Sequence, residues 1–532
     1  MNKLANTLVL FISLACQVVN CHGQGMAYTF STIKPSPHLT WTQCFDGFTC
    51  AKLQVPLDYS NKSIGTTSIA FIRWAGKNAT ENSQSIMAIP GGPGGSGIEV
   101  LLGLRDTIGQ MYGEQYNFVS FDPRGVNNSG PSLDCFSGDT EARATFKQLH
   151  YTGTTNASTS SLREQYYSSS IYGQRCNEAV GNNTPYGYYV TTPAVARDLL
   201  TFVEAEAELA GKSPQDAKLW CYAGSYGTIT GTTFATMFPD RIGRMILDGV
   251  MDPEQYYDNN WLDTLDQADE TMERFSTLCH AAGPDACSFW GPTPDDITAR
   301  MDALIHQLQN HPVPISRAEG TGLPSMVTYS DLKALLLQTI YNPLQSFPIL
   351  ANILHQVERG NVSALVGMFD SSIGLAADAG RVIRCADSHR RNRLNTIEAF
   401  EDYTEHLVSQ SKYAGDMFAI YVDTILCTSM QPRLPDSMVV QGPIKLDRPT
   451  SFPILFTSNV IDALTPLKFA REVSSRFPGS VLLLQEAIGH TVLEQGGSNC
   501  YFGHIQAYLQ GVVPPTNITC PQQYFPFIDG AV

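Results

Sequence analysis

One serine of this chain stands in a local sequence that would make it a nucleophile. Ser225 lies in the stretch AGSYG, between the strand-like run KLWCYAGS and the plausible helix TITGTTFATMF. The stretch is close to G-x-S-x-G, in which a tight strand-to-helix turn exposes a serine hydroxyl, although Ala223 replaces the first glycine. The pattern predicts that Ser225 attacks an acyl carbon. The alternative is a serine in an ordinary glycine-rich turn.

Two later residues have the types and order that such a serine requires. A serine hydroxyl needs a histidine to take its proton and a carboxylate to orient that histidine. In folds with this turn, the acid comes next in the chain and the histidine last. Asp462 follows the strand-like run PILFTSNVI, and His490 follows SVLLLQEAI as Gly-His. Alone, His490 could be a surface-loop histidine, but the ordered set predicts a Ser225–His490–Asp462 triad that works through an acyl-enzyme.

A glycine-rich loop, IPGGPGGSG, follows the apolar run at residues 85–88. It matches G-x-G-x-x-G from Gly92, which would bind a dinucleotide if Asp122 served as the ribose acid. Asp122, however, stands in FDPRGVNNSG, which is typical of a supporting turn. The triad favours an oxyanion hole instead, formed by the N–H groups of Gly91 or Gly92 and of Tyr226. Pro93 has no N–H to donate.

Strand-like and helical runs alternate from about residue 66. The runs TSIAFIRW, QSIMAIP, YNFVSFDPRG, KLWCYAGSYG and RMILDGVMDP are typical of strands, and TPAVARDLLTFVEAEAELAG has apolar residues at helical spacing. This alternation favours an α/β fold with a mostly parallel sheet covered by helices on both faces.

The middle of the chain has a different character. Between about residues 255 and 440 helical runs such as DDITARMDALIHQLQNH dominate, and strand-like runs return afterwards. We therefore expect residues 24–254 to form the first part of the α/β domain, 255–440 a helical insertion, and 441–532 the C-terminal part with Asp462 and His490. By analogy with other folds, the insertion would cap the active site.

The composition excludes several classes of protein. The chain has 532 residues, 43% of them hydrophobic, and a net charge of −16. No basic patch is available to neutralise phosphates, so we expect no nucleic-acid partner. The sequence contains neither C-x-x-C nor H-E-x-x-H, and the expected chemistry needs no metal or other cofactor. No stretch after the N-terminus reaches the ~18 apolar residues of a membrane span.

The N-terminus predicts export. Lys3 precedes an apolar run from Leu8 to Val19, and the small residues Cys21 and Gly23 follow. The run is too short to span a bilayer but suits a signal peptide, which we assign to residues 1–23. A buried N-terminal helix is the alternative. Seven N-x-[ST] sequons are consistent with a secreted, glycosylated protein: Asn61, Asn78, Asn127, Asn156, Asn182, Asn361 and Asn517.

Eleven of the 13 cysteines would remain after removal of residues 1–23. In an oxidising compartment most of them should be paired. Short loops favour the pairs Cys44–Cys50, Cys135–Cys176, Cys279–Cys287, Cys385–Cys427 and Cys500–Cys520. Cys221 is then left over, and its place in a strand-like run predicts a buried free thiol.

Together, GGPGGSG, FDPRGVNNSG, AGSYGT, NVIDALTP and GHTVL resemble the secreted tripeptidyl aminopeptidase and proline iminopeptidase branch of the α/β-hydrolases. The resemblance runs from about Pro56 to Cys520. The iminopeptidases usually have histidine before Gly-Gly-Pro-Gly, whereas Pro90 stands there in this chain. The resemblance implies an α/β-hydrolase fold with a helical cap and the triad Ser225, Asp462 and His490.

The resemblance also implies that short peptides or single residues are released from free N-termini. Such exopeptidases need carboxylates for the substrate α-ammonium, and Asp387, in VIRCADS, is a candidate. Its alternative is a solvent-facing acid beside a disulfide. An esterase or amidase acting on small esters, lactones or amides is the alternative function, because the same triad serves it. An inactive binding protein of this fold is disfavoured by the intact triad.

Overall fold

The computed structural model describes residues 29–182, 186–319, 322–374, 378–392, 394–516 and 518–529. The predicted signal peptide lies outside these residues. Twelve strands are described: β1 (Thr42–Cys44), β2 (Phe48–Pro56), β3 (Thr66–Ala75), β4 (Ser85–Ile89), β5 (Asn117–Phe121), β6 (Leu219–Gly224), β7 (Ile242–Asp248), β8 (Val313–Ile315), β9 (Ser325–Val327), β10 (Leu455–Ile461), β11 (Val481–Ile488) and β12 (Ile518–Cys520).

Ten of these strands form one sheet in the order β1-β2-β3-β5-β4-β6-β7-β10-β11-β12. From β5 to β12 neighbouring strands are parallel, whereas β1, β2 and β3 add an antiparallel edge that continues to β5. The predicted mostly parallel α/β sheet is therefore confirmed. The alternation of strand-like and helical runs begins at about residue 66, so the sequence pattern did not predict β1 and β2, which lie before it.

The described helices connect and cover these strands. They are α1 (Gly97–Leu104), α2 (Ile108–Tyr112), α3 (Thr140–His150), α4 (Ser161–Cys176), α5 (Thr192–Leu209), α6 (Gly227–Met237), α7 (Pro253–Tyr257), α8 (Ala268–Ala282), α9 (Pro294–Asn310), α10 (Tyr329–Thr339), α11 (Pro343–Glu358), α12 (Met368–Gly374), α13 (Asp378–Asp387), α14 (Ile397–Gln410), α15 (Gly415–Val422), α16 (Leu467–Ser475) and α17 (Asn499–Leu509).

Apolar side chains cover both faces of the sheet. Successive side chains of a strand point to opposite faces, and in β3 Ile69 and Phe71 join one hydrophobic cluster with α5 and α6, whereas Ala70 and Ile72 join another with α1 and α17. All five residues of β5 are buried. Burial on both faces explains why these strands are continuous apolar runs rather than alternating ones.

The region 255–440 is mainly helical, and its described residues contain only the short antiparallel hairpin of β8 and β9. Two helices from outside that region, α3 and α4, also pack against it. Arg143 of α3 forms an ion pair with Asp378, and Asn177, just after α4, donates a hydrogen bond to the carbonyl of Ser429. The helical layer over the sheet is therefore built from two segments of the chain, not from residues 255–440 alone.

The five predicted disulfides are formed, and Cys221 is a buried free thiol. The sequon asparagines with described side chains are all exposed: Asn61, Asn78, Asn127, Asn156 and Asn361. The side chain of Asn182 and the whole of Asn517 lie outside the described residues. Within the described part of the chain, no helix is both long and apolar enough to cross a membrane.

Candidate active site

The turn at Ser225 joins β6 to α6. Ser225 has a φ of +55°, in the left-handed region that side chains other than glycine rarely adopt. The helix begins at Gly227, where a Cβ atom would lie 2.7 Å from the carbonyl oxygen of Ile89. Glycine therefore allows α6 to approach the end of β4 closely. The turn leaves Ser225 partly exposed at the carboxyl edge of the sheet.

Asp462 and His490 are brought together at the ends of β10 and β11. The Nδ1 atom of His490 lies 3.2 Å from each carboxylate oxygen of Asp462. The N–H groups of Leu464 and Thr465 and the Thr465 hydroxyl donate to the same carboxylate. Both members of the pair are buried, Asp462 completely. This arrangement fixes the histidine ring with Nδ1 toward the acid.

Asp248, the last residue of β7, connects the serine turn to the histidine loop. Its carbonyl accepts the N–H of Ser225 at 3.0 Å, and its buried carboxylate accepts the N–H of Val492 at 3.0 Å. A Cβ atom on the next residue, Gly249, would lie 3.3 Å from Cε1 of His490. Sequence reasoning missed Asp248, although an acid at the end of the run RMILD was a usable signal.

The Ser225 hydroxyl has no hydrogen-bond partner within the residues that the structure describes. Such bonds are often long in free enzymes and tighten when substrate binds. Burial lowers the pKa of His490, but the Asp462 carboxylate outweighs this effect and raises that pKa above its usual value of 6.5. Burial raises the pKa of Asp462, and the charge and hydrogen bond of His490 bring it below its usual value.

The glycine-rich loop lies against Ser225. A Cβ atom on Gly91 would stand 3.3 Å from the Cβ and 3.8 Å from the Oγ of Ser225. Gly92 has a φ of +118°, which glycine alone adopts readily. Within the described residues, the N–H groups of Gly91, Gly92 and Tyr226 donate to no protein acceptor. Free donors beside the serine are what an oxyanion hole requires.

The dinucleotide alternative does not fit Asp122. This residue is fully buried, and its carboxylate accepts hydrogen bonds from the Ser96 hydroxyl at 2.5 Å and from the side chain of Asn128 at 2.8 Å. Ser96 is the N-cap of α1, directly after the glycine loop. Asp122 therefore holds the loop in place and is not available to a ribose.

Asp387 is the last residue of α13. It is 4% exposed, so it is not a solvent-facing acid. One carboxylate oxygen accepts the Thr192 N–H at 2.7 Å, and the other accepts the hydroxyls of Thr192 at 2.6 Å and Tyr256 at 2.8 Å. Burial raises its pKa to about 7. Protein donors contact both carboxylate oxygens, and the contact of Asp387 with a substrate ammonium stays a prediction.

A residue of the helical region contacts the histidine directly. The backbone carbonyl of Tyr341, between α10 and α11, accepts a hydrogen bond from the backbone N–H of His490 at 2.8 Å. It also accepts a hydrogen bond from the Gln495 side chain. The rings of Tyr341 and His490 meet edge to face, with centroids 5.8 Å apart. No sequence signal indicated this contact, since 149 residues separate the partners. The helical layer therefore supports the histidine loop.

Two family models match the chain. Residues 84–283, which include Ser225, match the model described as alpha/beta hydrolase fold. Residues 419–520, which include Asp462 and His490, match the model described as TAP-like protein. The chain has the α/β-hydrolase fold, in agreement with the sheet order and the strand-to-helix turn at Ser225.

Three named proteins resemble this chain over most of its length. The chain is 27% identical to serine protease Hip1 of Mycobacterium tuberculosis, over 98% of both proteins. It is 25% identical to a tripeptidyl aminopeptidase of Streptomyces lividans, over 88% of this chain and 83% of the relative. Carboxylesterase B of Mycobacterium tuberculosis is 22% identical over 91% of this chain and 90% of its own length. The protein is a hydrolase by its fold, and two of these three relatives are named as peptidases.

Proposed function

We propose that the protein is a secreted serine aminopeptidase that releases tripeptides or other short N-terminal units, including single residues. Ser225 attacks the scissile carbonyl while His490 takes its proton and then protonates the leaving amine. Asp462 orients His490. The N–H groups of Gly91 or Gly92 and of Tyr226 bind the oxyanion, and water releases the acyl-enzyme. The observation that carries the proposal is the partly exposed Ser225 beside free N–H donors, joined through Asp248 to the loop of the buried His490–Asp462 pair.

The preference for peptides with free N-termini rests on the named relatives, above all the Streptomyces tripeptidyl aminopeptidase. We place the cap in residues 255–440, with the core in 24–254 and 441–532. Secretion is supported by the five disulfides and by the exposed sequon asparagines, because disulfides persist in oxidising compartments.

A tripeptidyl anilide with a free amine is expected to be cleaved, and its N-acetylated form is expected to be inert. The reason is that an exopeptidase must bind the α-ammonium, which acetylation removes. Release of the aniline chromophore measures both rates, with a Ser225→Ala variant as the blank. Equal cleavage of both anilides would indicate an endopeptidase-like site and would refute the aminopeptidase assignment.

An esterase or amidase remains the second candidate, because carboxylesterase B aligns with most of this chain. A simple aryl ester should therefore be measured beside the anilides. Ester hydrolysis that depends on Ser225, without cleavage of either anilide, would replace the peptidase assignment with this candidate. The triad assignment would survive that result.

The pH dependence of kcat/KM is expected to have an acid limb above pH 6.5. His490 acts as a base only when it is neutral. Because Asp462 raises the pKa of His490 above 6.5, activity should increase as the pH rises through this raised pKa. In Asp462→Asn the negative charge is gone, and the limb should move to lower pH while kcat falls. Profiles of aryl ester hydrolysis test this. A limb that does not move would mean that another group titrates.

A further inference from the structure

Helix α13 of the helical region touches the glycine-rich loop at its N-terminal end. A Cβ atom on Gly94 would lie 2.6 Å from the backbone nitrogen and 2.7 Å from the Cα of Gly380. Conversely, a Cβ atom on Gly380 would collide with the carbonyl oxygen of Pro93. The two backbones pack without side chains between them. Any displacement of this end of the helix is therefore transmitted to the loop that holds Gly91 and Gly92.

The same helix reaches the residue after Ser225 at its C-terminal end. The Thr192 hydroxyl donates to Asp387 at 2.6 Å, so its oxygen accepts the Tyr226 hydroxyl at 2.7 Å. Tyr256 donates to Asp387 as well, at 2.8 Å. The hydrogen bonds therefore run in one direction, from the Tyr226 hydroxyl to the Thr192 hydroxyl and from there to the Asp387 carboxylate. It fixes the Tyr226 side chain, which is 2% exposed, at the start of α6.

Two ion pairs, one of them fully buried, fix the helix itself. Asp378, its first residue, accepts two hydrogen bonds from the Arg143 guanidinium, at 3.0 and 2.6 Å. One turn later, Arg381 pairs with Asp423 at 3.2 Å, and both side chains are buried. Hydrogen bonds between charged groups are stronger and more directional than neutral ones. The helix is therefore held on a rigid support rather than as a free flap.

We propose that helix α13 is a positioning element for the oxyanion site, acting on the glycine loop through Gly380 and on the Tyr226 N–H through Asp387 and Thr192. The inference rests on the oxyanion role given above to these N–H groups. It assigns Asp387 a part in catalysis that involves no contact with substrate. Binding of the developing oxyanion requires both donors to keep their positions within a few tenths of an ångström.

The test uses aryl ester hydrolysis and inhibition by phenylboronic acid, which forms a tetrahedral adduct with an active-site serine. Thr192→Val removes the hydroxyl that links Tyr226 to Asp387 and keeps the shape of the side chain. We expect kcat to fall about 10- to 100-fold, KM to change little and boronate affinity to fall in parallel with kcat. Thr192→Ser restores the hydroxyl and is expected to recover most of the loss. Asp387→Asn should resemble Thr192→Val.

Gly380→Ala tests the other end of the helix, with Gly442→Ala as the matched control. No atom lies within 4 Å of a Cβ on Gly442, so that variant should behave like the wild type. Gly380→Ala should lower kcat and boronate affinity through the glycine loop. A melting temperature for each variant separates this effect from a general loss of stability.

Two results would overturn the inference. Thr192→Val could lower the melting temperature with kcat and boronate affinity unchanged, which would make the contact structural only. It could also raise KM alone, which would place Thr192 in ground-state binding. Failure of the proposed function is a separate result. The two anilides test whether the protein is an aminopeptidase, whereas the aryl ester and the boronate test the oxyanion site whether the natural substrate is a peptide or an ester.

Discussion

Ser225→Ala is expected to lower kcat/KM by about 10⁴-fold or more, because no other group can form the acyl-enzyme. The melting temperature should stay close to that of the wild type, since the methyl group loses no hydrogen bond made by the hydroxyl in the described structure. Hydrolysis of the best substrate, followed to a complete progress curve, measures the residual rate. Labelling by a fluorophosphonate gives an independent readout that should disappear.

Ser475→Ala is a suitable control, because Ser475 is an exposed serine at the end of α16, and full activity and labelling are expected. His490→Ala should lose activity to a similar degree as Ser225→Ala, and the double variant should be no worse, because the two residues act as a unit. Activity of Ser225→Ala within tenfold of the wild type would show that another residue is the nucleophile.

Arg124→Met is expected to lower the free energy of unfolding by about 3–5 kcal/mol, because it leaves a buried carboxylate without its partner. The guanidinium of Arg124 is completely buried and pairs with Asp198 at 2.6 and 2.7 Å. It also donates to the carbonyls of Pro56 and Leu57, each at 2.7 Å, so three segments of the core meet at one side chain. Chemical denaturation measures the loss.

The replacement Asp198→Leu in the Arg124→Met background should recover part of this loss, because it removes the unpaired charge. Arg163→Met is the control. Arg163 pairs with Glu401 at 2.8 Å on the surface, with 58% of its side chain exposed, and such pairs contribute less than about 1 kcal/mol after solvent screening. If Arg124→Met were as stable as Arg163→Met, the buried pair would contribute nothing to stability.

Much of the sheet could be predicted because its signals are local. The strands from β3 onward appear as apolar runs bounded by turns, and α5 appears as a 3.6-residue pattern that ends before Gly211. The short edge strand β1 carries a weak pattern, TQC, of which two residues are exposed. The five disulfides were predictable because each pair joins consecutive cysteines of the chain, which gives the shortest loops.

The candidate site was predictable in part for a topological reason. In a parallel sheet all strands end at the same edge, so residues that follow β6, β10 and β11 must come close together. That rule places Ser225, Asp462 and His490 in one region without any knowledge of side-chain contacts. It could not assign Asp387, because the burial of a carboxylate on a helix depends on which distant segments cover it.

The sequence by itself determined the α/β sheet, the disulfide pairs and the three residues offered as a triad, since each depends on local patterns or on chain order. Only the tertiary structure decided that Asp248 joins the serine turn to the histidine loop, that Tyr341 supports His490, and that Asp387 accepts hydrogen bonds from Thr192. The partners of these contacts lie 23 positions apart in Ser225–Asp248 and 244 positions apart in Asp248–Val492. Packing of the whole chain sets such contacts, and no local periodicity encodes them.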